Sequence, residues 1–302
     1  FAATHKKTLN SKFMKLKIVV LAKQVPDTRN VGKDAMKEDG TVNRGALPAI
    51  FNPDDLNALE LALEIKDRHK NAEVSVITMG PTRAAEIIRE SIYRGADKGY
   101  LLTDRKFAGS DTLATSYALS KAVEKINPDL IVCGLQAIDG DTAQVGPQVA
   151  EKLNFPQITY VEKLESFENN KLVLVRRLER GVETVSTTLP VLLTVHSSAT
   201  PCRPMHAKRV LKYKHAHTTT ELQEQNRDYT DLIKEFPYLH IEEWSAEAVK
   251  ADENHLGLGG SPTKVKEIES VVLTQKESKQ FTEKDQDIDQ LMKELLETRV
   301  IG

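Results

Sequence analysis

Four short apolar runs, separated by stretches with helical periodicity, constrain this chain more than anything else in it. Ile18-Val19-Val20-Leu21-Ala22, Val74–Thr78 (VSVIT), Gly99–Thr103 (GYLLT) and Leu130–Cys133 (LIVC) are continuous rather than alternating. A strand reads this way when helices bury it on both faces. Between the runs, Asn52-Pro53-Asp54-Asp55 opens a helix. Asn52 can cap it, Pro53 fits its first position, and the two acids suit the positive end of its dipole. Leu56, Leu59, Ala62, Leu63 and Lys66 follow at helical spacing, and Pro81–Tyr93 and Asp111–Ile126 behave similarly. Strands alternating with helices predict an α/β fold with a mostly parallel, doubly wound sheet and right-handed crossovers.

After Pro156 the pattern changes. Lys171–Arg177, Val182–Thr187 and Val191–Val195 are β-rich, with turn signals at Asn169-Asn170, Gly181 and Leu189-Pro190. They predict an antiparallel extension joined to the parallel sheet. Pro201–His217 holds five Lys/Arg and no acid; residues 218–302 hold 19 acids and 10 bases. That tail is too poor in apolar residues for a large core of its own, so it wraps a partner or returns to the domain. Within it Asp285–Arg299 carries Ile288, Leu291, Met292, Leu295 and Leu296 at helical spacing, as a docking helix or one packed on its own domain. Residues 1–13 are basic and lack an apolar centre, which fits an extension or residues left by cloning better than a secretory signal. The expected division is thus 1–13, an α/β domain over 14–200, and an arm over 201–302.

Composition removes several function classes. A net charge of −2 leaves no basic footprint for nucleic acid. No apolar run approaches the roughly 18 residues of a membrane span. Two cysteines, Cys133 and Cys202, can make neither a disulfide framework nor a structural zinc site nor, alone, an iron–sulfur cluster. No metal site is expected, and the residue usage fits a reducing cytoplasm. No Ser–His–Asp or Cys–His set is legible.

The sharpest segment is Cys133–Gly146, CGLQAIDGDTAQVG. It follows a strand and precedes the helix-like run Ala143–Leu153. Unpaired N–H groups and the dipole at a helix start attract anions. Gly134 and Gly140 allow backbone to approach a phosphate, and Gln136, Asp139, Asp141, Thr142 and Gln144 add polar side chains. The loop is neither G-x-G-x-x-G nor G-x-x-x-x-G-K-[ST]. From the residues alone, an ordinary βα loop with turn glycines explains it equally.

The chain resembles the β subunit of electron-transfer flavoprotein. GLQAIDGDTAQVGPQVAEKL (Gly134–Leu153) is similar to that family's nucleotide loop and following helix, LAKQVPDT (Leu21–Thr28) to its first-strand loop, and FNPDDLNALELAL (Phe51–Leu63) to its second nucleotide contact. TMGP (Thr78–Pro81), GAD (Gly95–Asp97) and GLGGSPTKV (Gly257–Val265) fall in the family's order. The resemblance implies an adenine-nucleotide-binding α/β domain and a C-terminal arm wrapping an α subunit that carries its own FAD. Housekeeping members hold a structural AMP. Electron-bifurcating members hold a second FAD, which takes hydride from NADH. It then passes electrons to ferredoxin or flavodoxin and, through the α-subunit FAD, to an FAD-dependent dehydrogenase of acyl-CoA or lactate type. The housekeeping loop reads approximately QAIDDD-x-NQTG; Gly140, Val145 and VPDT here look like the bifurcating pattern.

Carried over by position, the resemblance implies a cofactor site made of Leu21, Ala22, Asn52, Pro53, Asp54, Met79 and the loop Gly134, Leu135, Gln136, Ala137, Ile138, Asp139, Gly140, Asp141, Thr142, Ala143, Gln144 and Val145. Asn52 also reads as a pure helix cap, Met79 as core, and Asp139 or Asp141 as turn stabilisers. NAD(H) as substrate would approach near Val25–Arg29, where Lys23 and Arg29 can meet its phosphates; Arg29 also reads as solvated surface charge. The basic stretch 201–217 corresponds to the family's partner-recognition loop, from which Cys202, Arg203 and Pro204 depart.

Overall fold

A computed structural model describes residues 15–27, 48–69, 71–224, 230–263 and 279–297. Residues 1–13, Thr28, Arg29, Lys264 and Val265, on which some of the expectations above fall, lie outside the described residues. The four apolar runs are strands β1 (Leu16–Leu21), β4 (Ala72–Met79), β5 (Lys98–Leu102) and β6 (Leu130–Gly134). β2 (Gln24–Pro26) and β3 (Ala49–Phe51) form a small antiparallel pair after β1. The helices between are α1 (Pro53–Arg68), α2 (Ala85–Arg94), α3 (Thr112–Ile126) and α4 (Val145–Leu153).

Side chains along β1 alternate between two cores. Ile18 and Val20 face the side of α1 with Leu59 and Leu63, whereas Val19 and Leu21 face the side of α3 and α4 with Ala118, Val149 and Ala150. All except Leu21 (5% exposed) are at most 1% exposed, so both faces are sealed and the continuous apolar reading of the strand follows. Truncating such a leucine to alanine costs about 2–5 kcal/mol.

β7 (Gln157–Glu168), β8 (Lys171–Leu178), β9 (Gly181–Thr188) and β10 (Val191–Val195) complete the large sheet with β11 (Glu242–Trp244), in the order β11-β5-β4-β1-β6-β10-β7-β8-β9. The antiparallel extension is β7-β8-β9. Val191–Val195 departs from the expectation: β10 runs parallel between β6 and β7 and is wholly buried. β7 was not legible because register shifts at Val161/Lys163 and Leu164/Ser166 break its alternation, and Tyr160 takes φ 60°.

The segment after β10 lies against the α/β domain. It carries α5 (Ala207–Tyr213), α6 (Thr219–Glu224), α7 (Thr230–Glu235) and β11, which pairs parallel with β5. Trp244 stacks on Tyr100 with ring centroids 4.1 Å apart, and the Lys125 Nζ sits 4.3 Å above its ring. Arg89 on α2 makes a buried two-pronged pair with Glu221, both bonds 2.9 Å. These contacts return the chain to its own domain, one of the two outcomes the tail's composition left open. α8 (Asp285–Glu297) is the helix expected at that place; none of its residues is buried, and Ile288, Met292 and Leu296 are exposed.

Candidate nucleotide site

The sheet order reverses at β1: the chain builds β4 and β5 on one side of it, then crosses to β6 on the other. In an open α/β sheet the crevice at the carboxyl ends of such strands is where ligands bind. A cleft of about 440 Å³ opens there. Leu21 and Ala22 line it from the end of β1, Ile77 and Met79 from β4, Cys133 and Gly134 from β6. Leu135, Gln136, Ala137 and Asp139 through Gly146 form the loop side; Phe107, Ser110, Asp111, Thr112 and Thr115 close the side of α3.

Thus the structure gathers Leu21, Ala22, Met79 and all of the expected loop except Ile138 around one cavity. Met79 also packs at the edge of the α3–α4 core, so its core reading holds and it forms part of the cleft wall as well. Asn52, Pro53, Asp54 and Ile138 do not line the wall. Asn52 grips the loop from behind. It is fully buried; its Nδ2 donates to the Gln136 carbonyl at 2.8 Å, and its Oδ1 accepts from the Ile138 N–H at 3.2 Å. Its side chain makes no cap bond to α1, although its carbonyl accepts from Asp55 and Leu56. It therefore shapes the cleft through the loop rather than by lining it.

Gly134 is where the first turn of α1 meets β6. A Cβ there would lie 2.5 Å from Asp55 Oδ1 and 2.7 Å from the Asp54 carbonyl carbon. Only glycine permits this approach. Asp55 then ties two strand ends together. Its Oδ2 accepts from the Lys23 N–H and its Oδ1 from the Gly134 N–H, each at 2.9 Å. Burial pushes its pKa from 3.8 up to about 7, with hydrogen bonds from Asn52, Lys23 and Gly134 opposing and the Asp54 charge assisting. Burial, then the Asp55 charge, also holds the Cys133 thiol well above its ordinary range, so it is no nucleophile.

The loop reaches α4 through two residues in left-handed backbone, Asp141 at φ 50° and Ala143 at φ 52°. Ala143 has no side chain to compensate, and such a conformation costs about 1–2 kcal/mol. Strain of this kind persists where surrounding structure enforces it, commonly at ligand sites. α4 begins at Val145 with no side-chain cap, which leaves the N–H groups of Val145 and Gly146, both lining the cleft, without intrahelical partners; Pro147 has no N–H. Gly146 lets it seat, since a Cβ would lie 2.8 Å from the Cys133 sulfur. The Gln144 side chain instead accepts from Thr112 Oγ1 at 2.8 Å, linking the starts of α4 and α3. Two helix N-termini thus converge on one cleft; that of α3 is already capped by the Asp111 carboxylate, so the uncapped start of α4 is the end suited to phosphate.

The α3 side was missed from sequence. Its signal was present in FAGSDT, a glycine turn before a helix whose first residue is capped: Asp111 accepts from the Ala114 N–H at 2.9 Å. GLGGS closes over this cap. Ser261 Oγ accepts from the Asp111 N–H at 2.8 Å, and Asp111 Oδ2 accepts from the Thr263 N–H at 3.0 Å. Gly257, at φ 56°, sits where a Cβ would be 2.4 Å from the Lys106 carbonyl oxygen.

Known proteins agree with this geometry. The model of the electron transfer flavoprotein domain matches residues 39–218. The chain is 44% identical over 250 residues to the electron transfer flavoprotein subunit beta of Thermoanaerobacterium thermosaccharolyticum, covering 83% of this chain and 86% of the relative. It is 50% identical over 180 residues to the caffeyl-CoA reductase-Etf complex subunit CarD of Acetobacterium woodii, covering 59% and 68%. It is likewise 50% identical over 183 residues to the acryloyl-CoA reductase electron transfer subunit gamma of Anaerotignum propionicum, covering 59% and 67%. With its switch-point cleft, its glycine loop and this extent of likeness, the chain belongs to the electron transfer flavoprotein family, among the β subunits.

Proposed function

We propose that this chain is the β subunit of a heterodimeric, cytoplasmic, electron-bifurcating electron-transfer flavoprotein, and that its cleft holds FAD. The observation that carries the reading is Gly140. A Cβ there would meet nothing within 4 Å, so the loop leaves open space where the AMP-holding pattern has an aspartate. The residues present fit such a group. Leu21, Ala22, Ile77, Met79 and Phe107 offer an apolar wall for a flat ring, and the uncapped start of α4 offers N–H groups for phosphates.

When bound, the flavin supplies the redox chemistry, linking NADH to ferredoxin or flavodoxin and, through the α-subunit FAD, to an FAD-dependent dehydrogenase. The chain's own residues bind and orient: Asn52 fixes the loop, Asp55 joins β1 to β6, and the α3 cap closes one wall. Relatives named for caffeyl-CoA reductase and acryloyl-CoA reductase support an acyl-CoA partner over a lactate one. The arm after residue 200, with the exposed apolar face of α8, would complete the contact with the α subunit.

A housekeeping subunit with structural AMP is the second reading. The volume of about 440 Å³ favours it, lying in the lower half of the usual range for ligand pockets. Denaturing the purified α/β pair and quantifying released nucleotide separates the two. Two FAD per pair is expected; one FAD with one AMP would leave only the second reading.

A further inference from the structure

For a phosphate site the cleft carries the wrong charge. Among the described residues that line it, four are carboxylates, Asp55, Asp111, Asp139 and Asp141, and one is cationic, Lys23. Asp55 is occupied by two backbone N–H groups, and Asp111 by the α3 cap and Thr263. Asp139 is held by Lys23, whose Nζ lies 2.8 and 2.7 Å from its two oxygens. The backbone on both sides is anchored: the Lys23 N–H is bound by Asp55, and Asn52 holds the loop at Ile138, next to Asp139. The pair therefore spans from the end of β1 to the glycine loop, with the lysine half exposed at 49% and the aspartate at 23%.

We propose that the Lys23–Asp139 pair is an exchangeable clasp, in which Lys23 turns from Asp139 to the ligand's phosphates and so makes the cleft prefer diphosphate over monophosphate nucleotides. The inference rests on the nucleotide reading of the cleft. A half-exposed ion pair contributes little net stability, so giving it up costs little. A lysine is a compact charge on a flexible stem with three donors, able to reach a second acceptor from a fixed backbone. The N–H groups at the start of α4 supply only fractional charge. Among the described residues of the wall Lys23 is the one full positive charge, so it is what distinguishes ligands by their own charge, and Asp139 competes for it.

The test is calorimetric titration of the α/β pair, stripped of nucleotide, with adenosine, AMP and ADP. Wild type should bind ADP tighter than AMP and AMP tighter than adenosine. Lys23→Gln should weaken ADP by about ten- to a hundredfold, the range for a lost charged hydrogen bond, and leave adenosine unchanged. Asp139→Asn should tighten ADP several-fold, and Lys23→Arg should keep the ranking. Wild type binding all three alike overturns the clasp and leaves the nucleotide reading standing. Wild type binding none overturns both. Equal loss of adenosine and ADP in Lys23→Gln, or ADP weakened by Asp139→Asn, would make the pair a strut for the loop and overturn the exchange.

Discussion

Replacing Asp55 with asparagine separates what its carboxyl does as an acceptor from what its charge costs. Each oxygen takes one N–H, from Lys23 at the end of β1 and from Gly134 at the end of β6, both at 2.9 Å. An amide oxygen can take one of them, and the amide N–H then faces the other donor. Leaving that donor unsatisfied costs about 1–3 kcal/mol. The charge acts in the opposite sense. With its pKa raised from 3.8 to about 7, the folded chain holds this proton more tightly than the unfolded chain does. Stability from this group is full below its unfolded pKa and falls as pH rises through about 7. Across that window the loss is about 4 kcal/mol, at 1.36 kcal/mol per pH unit. The uncharged variant does not share it. Asp55→Asn should therefore be less stable than wild type near pH 5 and should equal or exceed it at about pH 8. Urea denaturation of the full chain, followed by the emission of its single tryptophan, Trp244, measures the gap. A gap of the same size and sign at both pH values would refute a titration of Asp55 between them.

Three further outcomes follow from the geometry. Gly134→Ala should lose about 1–3 kcal/mol or more, because its Cβ would press on the first turn of α1; unchanged urea stability would refute the close approach. Gly140→Asp should change stability by no more than about 0.5 kcal/mol, since nothing lies within 4 Å, yet lower the FAD content of the pair by adding like charge beside phosphates. Full FAD content in that variant would count against the assignment of the loop. Reversing Lys208 and Lys214 to Glu should slow electron transfer to the dehydrogenase by about tenfold at low salt and less at high salt, and an unchanged rate would move the docking surface elsewhere.

The parallel sheet was legible because burial on two faces writes itself into continuous apolar runs. Asn52-Pro53-Asp54-Asp55 announced α1 by local rules alone. What could not be read was anything set by partners distant in sequence. Nothing in VLLTV shows that it lies between β6 and β7, since a wholly buried strand reads alike wherever it is inserted. Asn52 looked like a cap because capping is local; its bonds to Gln136 and Ile138 join residues more than eighty positions apart. Asp55 was read only as an acid near a dipole, for the same reason. The loop stood out because a glycine-rich turn between strand and helix is a local pattern, and the structure places it on the cleft wall. The opposite wall at α3 was passed over because its glycine turn leads into a helix that also reads as ordinary core.

The basic stretch shows how a charge count differs from a charged surface. Of its five bases, two are engaged inside the domain. Arg203 bonds Glu60 through Nε and Nη2 and pairs with Asp67 at 2.9 Å, both on α1, and Glu60 holds its guanidinium well above its ordinary pKa. Arg209 donates to the carbonyls of Ile92 and Ala96 at the end of α2, where a helix has acceptors to spare. Lys208, Lys212 and Lys214 remain exposed, beside Leu211 at 67% and Met205 at 47% exposure, and of the three Lys212 lies over a ring, 4.4 Å from the centroid of Tyr238. Reversing Arg203 would strand Glu60 and Asp67 against a like charge, and reversing Arg209 would strand two carbonyls. The loss at Arg203 falls on α1, the helix whose first turn, through Asn52 and Asp55, holds the glycine loop, and the loss at Arg209 falls on the end of α2. Charge reversal at Lys208 and Lys214 therefore reports on docking, whereas reversal at Arg203 or Arg209 reports on the fold.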